Sequence, residues 1–94
     1  LCSNDRLAIG FLAACHQEGL KVGLDDDADI RVAGQDDHPF SRYTYPPLTT
    51  IAQDYEAISR RALDTLLALV DDDKASATRP DTLFQGRLVM RKSA

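Results

Sequence analysis

Ile30-Arg31-Val32-Ala33-Gly34-Gln35-Asp36-Asp37 reads as a short strand that breaks at a glycine and opens into carboxylates. Ile30 and Val32 are β-branched and suit a pleated ladder, while Gly34 marks its end. In α/β proteins ligands sit outside the carboxyl ends of parallel strands, so a strand closing on glycine and aspartate has a recurring binding geometry. Upstream, residues 20–29 read as a connecting loop and residues 4–19 as a helix. Asn4 or Asp5 is placed to cap that helix, and Gly19 suits the left-handed position that ends it. Leu1-Cys2-Ser3 reads as the end of an earlier strand, without an initiating methionine, so the chain is expected to be a fragment. The order strand end, helix, strand makes a right-handed crossover and a parallel sheet the default.

The first helix is apolar nearly all round. Leu7, Phe11 and Ala14 follow one helical stripe, and Ile9, Leu12 and Ala13 make a second. Such a helix is expected to be covered twice, by a sheet on one side and a partner subunit on the other. Downstream, His38 to Tyr45 is a loop holding Phe40, Tyr43 and Tyr45. Pro46-Pro47 then forces extended backbone into a second strand over residues 48–52. Asp54 is placed to cap a second helix, whose stripe of Tyr55, Ile58, Ala62, Leu66 and Leu69 runs to Val70. Residues 71–79 read as a polar, mobile loop. Residues 82–85 and 87–90 read as two short extended segments around Gly86.

Composition narrows the function classes. Ninety-four residues hold one domain at most, and 44% hydrophobic with 28% charged is ordinary for a folded soluble protein. A formal net charge of −4, with basic residues scattered, argues against a stand-alone nucleic-acid binder. No apolar run approaches the ~18 residues of a membrane span, and no secretory signal is read. Cys2 and Cys15 lack any CxxC or Cys/His ligand spacing, which fits reduced thiols in a cytoplasmic protein. The acidic run Asp25-Asp26-Asp27-Ala28-Asp29 lacks the glycine and closing glutamate of a calcium loop, so it reads as a solvated turn. Asp36 beside Asp37 has no nucleophile, metal set or phosphate loop for company. No catalytic residue, metal or cofactor is expected.

Four segments, in order, resemble one family. Ser3-Asn4-Asp5-Arg6-Leu7-Ala8-Ile9-Gly10 is similar to the N-D-x-x-A-x-G opening of a late helix in LacI/GalR transcription regulators. Val32-Ala33-Gly34-Gln35-Asp36-Asp37 resembles their V-x-G-aromatic-D-D/N strand end, with Gln35 in place of the aromatic residue. Pro46-Pro47-Leu48-Thr49-Thr50-Ile51-Ala52-Gln53 resembles P-x-L-T-T-I/V-x-Q, the most specific of the set, and Leu88-Val89-Met90-Arg91-Lys92-Ser93 resembles the L-V/I-x-R-x-S ending. The resemblance implies an α/β fragment of a two-lobed periplasmic-binding-protein-like fold, with parallel sheets flanked by helices. Residues 1–53 and 86–94 would belong to its C-terminal lobe and residues 54–85 to part of its N-terminal lobe, with the DNA-binding headpiece absent.

The resemblance also implies what the chain would meet. Asn4, Asp36 and Gln53 lie at element boundaries facing the implied cleft, and matching family positions contact the effector. An amide, a carboxylate and an amide suit the paired hydroxyls of a sugar. The bland reading of all three is helix and turn capping. Asp5 and Asp37 read as caps or supports, and His16 and His38 as surface residues. Ile9, Leu12, Phe40 and Tyr43 match regions that join the C-terminal lobes of family dimers; their bland reading is intrachain core. The expected partners are a small-molecule effector, most simply a sugar, operator DNA through the missing N-terminal domain, and a second copy. The rival readings are a secreted solute-binding protein of a sugar importer, a sugar-active enzyme, and a fragment that folds only by swapping with another copy.

Overall fold

The computed structural model describes residues 1–71 and 82–94. Its elements run in the order α1 (Asp5–Gln17), a 3-10 turn (Ser41–Tyr43), β1 (Thr50–Ala52), α2 (Tyr55–Asp71) and β2 (Arg87–Val89). The chain divides into two compact units: Leu1–Ala52 together with Gly86–Ala94, and Gln53–Gln85. Most of the polar loop expected at residues 71–79 lies outside the described residues.

In the first unit the caps of α1 follow from local chemistry. Asn4 has extended backbone, and its Oδ1 accepts the Leu7 amide at 2.9 Å, satisfying one of the free N–H groups of the first turn. Gly19 takes φ 73° just past the helix, a conformation that glycine adopts without the Cβ clash. The face that α1 buries differs from both expected stripes. Asp5, Ala8, Leu12 and Cys15 are buried, whereas Leu7 and Phe11 are 58% and 42% exposed. The true stripe begins on a carboxyl, which hydrophobic periodicity counts as solvent-facing.

The extended backbone beneath α1 is more fragmented than expected. Instead of one strand over residues 30–34 there are two isolated parallel bridges, Val22 with Ile30 and Ala33 with Thr49. The physical reason is that this segment changes partner along its length. Cys2 N–H donates to Ala33 O (2.8 Å) and Asp5 N–H to Gln35 O (2.9 Å). Gly34 N–H donates to Thr49 O (2.9 Å), Asp36 N–H to Ile51 O (2.8 Å) and Val32 N–H to Ser93 O (2.8 Å). The second expected strand is likewise shorter, because the Thr49 amide donates to the Ser93 hydroxyl (2.8 Å) rather than to a backbone ladder. β2 adds to β1 antiparallel, with Thr50 opposite Val89 and Ala52 opposite Arg87.

Ala8, Leu12, Val32 and Leu48 form the core of this unit, with Cys2, Val22 and Ile30 packed against it. Gly34 is pressed into the same place. A Cβ there would strike the Asp5 carboxyl and come within 3.1 Å of Leu48 Cδ2 and 3.3 Å of Ala8 Cβ. The strand-ending glycine therefore lets α1 approach closely.

In the second unit, Asp54 caps α2 by accepting the Ala57 amide on Oδ1 at 3.0 Å. The expected apolar stripe of α2 is only partly covered: none of its residues is buried, Ile58 and Leu69 are half-buried, and Tyr55, Leu66 and Val70 are largely exposed. Among the described residues no helix is long and apolar enough to cross a membrane.

Candidate functional site

Asn4 and Asp36 lie at the same end of the first unit, because neighbouring backbone groups tie them there. The Asp5 amide next to Asn4 bonds the Gln35 carbonyl next to Asp36, and the Asp36 amide bonds Ile51 O. Asn4 spends Oδ1 on the α1 cap. Asp36 is half-buried in a turn at φ 111°, followed by Asp37 at φ 52°. Gln53 begins the second unit, directly after β1, and its carbonyl accepts the Tyr55 amide at 3.0 Å.

A continuous polar relay supports that end. Asp5, only 1% exposed, accepts Thr50 Oγ1 on Oδ1 (2.7 Å) and the His38 amide on Oδ2 (2.7 Å). Thr50 Oγ1 in turn accepts the Asp37 amide at 3.2 Å. Asp37 Oδ1 accepts Arg91 Nη2 (2.8 Å) and Ser41 Oγ (3.3 Å). Arg91 Nη1 also donates to Ser41 Oγ and to Leu48 O, both at 2.8 Å. Thr49 links the relay to the fully buried Ser93: its Oγ1 accepts the Arg91 amide (2.9 Å) and its own amide donates to Ser93 Oγ (2.8 Å), which in turn donates to Val32 O (2.6 Å). Asp5 and Asp37 thus support the turn that carries Asp36. Arg91, Thr50 and Ser93 were visible in sequence only as letters of motifs. The available signal was a cation and a hydroxyl within an otherwise extended, apolar ending.

Arg91 beside Asp37 holds its carboxyl below the usual aspartate value of 3.8; desolvation opposes this, and the Ser41 hydroxyl adds to it. A depressed folded-state pKa contributes stability that is fully present above the unfolded value and lost as pH falls through the folded one. The stability difference between wild type and Asp37→Asn is therefore expected to stay constant between about pH 5 and 7 and to shrink below about pH 4. Urea titrations at a series of pH values check this, and a difference that persists unchanged at pH 3 would contradict it.

One cation offsets part of the acidic loop's charge. Lys21 Nζ lies 2.7 Å from Asp27 Oδ2 and 3.6 Å from Asp25 Oδ2. Among the described residues no three His, Cys, Asp or Glu side chains gather as a metal site. An open groove of about 790 Å³ lies elsewhere on the first unit, near the C-terminal end of α1. Leu12, His16, Leu24, Tyr45 and Lys92 help line it, and neither Asn4 nor Asp36 does. Of the residues expected at a dimer contact, Phe40 and Tyr43 are 66% and 78% exposed, and Ile9 is half-buried. Leu12 is in the core of the unit. His38 is half-buried rather than at the surface, with its amide held by Asp5.

A capped helix packed on parallel extended segments, with polar residues at the carboxyl ends of those segments, is the architecture of a ligand-binding α/β domain. Over residues 1–94 the sequence matches the family described as a periplasmic binding protein-like domain. The chain is 39% identical over 93 residues to the lactose operon repressor of Escherichia coli (strain K12), covering 99% of this chain and 24% of that protein. The crystal structure of the lac repressor dimer bound to operator and the anti-inducer ONPF superposes with a TM-score of 0.78 at 38% identity, over 97% of this chain and 29% of that one. A LacI family transcriptional regulator from Lactobacillus casei with bound sucrose superposes with a TM-score of 0.72 at 30% identity, over 98% of this chain and 31% of that one. The chain belongs to the periplasmic binding protein-like domain family. It spans about a quarter of the length of the repressor it matches.

Proposed function

We propose that this chain is part of the effector-sensing domain of a LacI-type transcriptional regulator, in which a sugar or related metabolite is bound between two lobes. Residues 1–53 and 86–94 would contribute to the C-terminal lobe, and residues 54–85 to the N-terminal one. Asp36 accepts paired hydroxyl protons, and Asn4 and Gln53 offer amides to the same ligand. The observation that supports this reading is the Asp5 amide bonding the Gln35 carbonyl, which holds the neighbouring Asn4 and Asp36 at the carboxyl ends of two extended segments. Ligand binding shifts the population of states whose paired DNA-binding headpieces, outside this chain, fit an operator. A second copy is the natural partner for the exposed Phe40 and Tyr43. The relatives described above are regulators, which gives no support to an importer's solute-binding protein or to a sugar-active enzyme.

The test is calorimetric titration of the intact protein with mono- and disaccharides, glucose and sucrose among them. Saturable binding is expected. Asp36→Asn removes the charge from its hydrogen bonds and should weaken binding about thirtyfold, since a bond to a charged group contributes roughly 1.5–3 kcal/mol. Binding that is indifferent to Asp36→Asn would remove Asp36 from the site. No binding across the panel would sink the sugar reading.

A further inference from the structure

Two consecutive aspartates in this chain hold backbone conformations that L-residues seldom adopt, φ 111° at Asp36 and 52° at Asp37. Such conformations persist only where the surroundings over-determine them. Here the turn is held by its backbone and by a side-chain clamp. The Asp36 amide is fixed to Ile51 O, and the Asp37 amide to Thr50 Oγ1. The Asp37 carboxyl is gripped by Arg91, which also reaches Ser41 Oγ and Leu48 O, so one guanidinium fastens three acceptors on both flanks of the loop that follows. The side chain of Arg91 is only 14% exposed and that of Asp37 22%. A pair this sheltered is less screened by solvent than a surface ion pair. A guanidinium also has the fixed, forked donor geometry that a lysine lacks.

We propose that Arg91 is a positioning residue for effector binding: by clamping Asp37, Ser41 and the Leu48 carbonyl it fixes the turn that presents Asp36 to the ligand. The inference rests on the reading of Asp36 as a ligand contact. Arg91 itself acts through Asp37 and touches no ligand. The clamp carries consequences because a binding group must be held within a fraction of an ångström of its productive place.

The experiment uses the intact protein and its Arg91→Ala, Arg91→Lys, Asp37→Asn and Arg91→Ala/Asp37→Asn variants. Amide hydrogen exchange and calorimetry with glucose and sucrose are measured on each. Arg91→Ala is expected to speed exchange at Asp36, Asp37 and His38 about tenfold while leaving Leu12 and Cys15 of α1 unchanged. The dissociation constant for sugar should rise about tenfold, Asp37→Asn should reproduce both effects, and the double variant should add no more than about twofold. Arg91→Lys should lie between, since it keeps the charge without the fork. Should Arg91→Ala fail to accumulate as folded protein, Arg91→Lys and Asp37→Asn supply the same comparison. Unchanged exchange at residues 36–38 would overturn the proposal, as would faster exchange with unaltered affinity or additive losses in the double variant. A wild-type protein that binds no sugar overturns the sugar reading alone, and the exchange pattern then decides Arg91's hold on the turn.

Discussion

Replacing Asp5 by alanine is expected to destabilise the intact protein by about 3 kcal/mol, as two bonds to a buried carboxyl are lost at once. Both oxygens of Asp5 are engaged, one by the Thr50 hydroxyl and one by the His38 amide, and the residue is 1% exposed. Alanine takes away the carboxyl that packs directly against Gly34 and leaves both donors without it. A buried donor without a partner costs more than the bond itself contributed in exchange with water. Asp5→Asn should cost about half as much, because one amide oxygen still accepts while the NH2 group meets a donor. Chemical denaturation followed by circular dichroism checks both values. A loss below about 1 kcal/mol for Asp5→Ala would mean that water enters and satisfies both donors.

Leu48→Ala is the second large effect, with an expected loss of about 3–4 kcal/mol from lost apolar burial and the cavity left behind. Leu48 is fully buried among Ala8, Leu12 and Val32. Its neighbours have little freedom to collapse into the space. Gly34 and Ala8 have no side-chain length to give, and the Leu48 backbone is pinned by Ser41 O and by Arg91 Nη1. Leu48→Met keeps most of the volume and should cost less than about 1.5 kcal/mol. The same denaturation series reads both. Equal losses for alanine and methionine would show that shape at this position, rather than buried volume, sets stability.

Local signals read well where local chemistry decides. The caps of both helices were legible, since Asn4 and Asp54 each place a short acceptor beside free amides and Gly19 tolerates positive φ. The burial of α1 was not. Its inward face runs through Asp5, a residue that periodicity assigns to solvent until Thr50 and His38 supply its partners. The continuous strand expected at residues 30–34 dissolved into bridges for a related reason, because its hydrogen bonds are shared among Cys2, Thr49, Ile51 and Ser93.

The motifs around Asn4, Gly34-Gln35-Asp36-Asp37, Thr49-Thr50 and Arg91-Lys92-Ser93 were each readable in the sequence, and their order alone pointed to the α/β class and the family. Their convergence was not readable. Asp5 meets Thr50 across 45 positions of chain, Asp37 meets Arg91 across 54, and Ser93 meets Val32 across 61. Caps, turns and strand ends depend on neighbours a few residues away, so the sequence by itself determined them. Which carboxyl is buried, and which cation holds the turn that carries Asp36, depends on partners from distant segments that only the tertiary structure brings within hydrogen-bond reach.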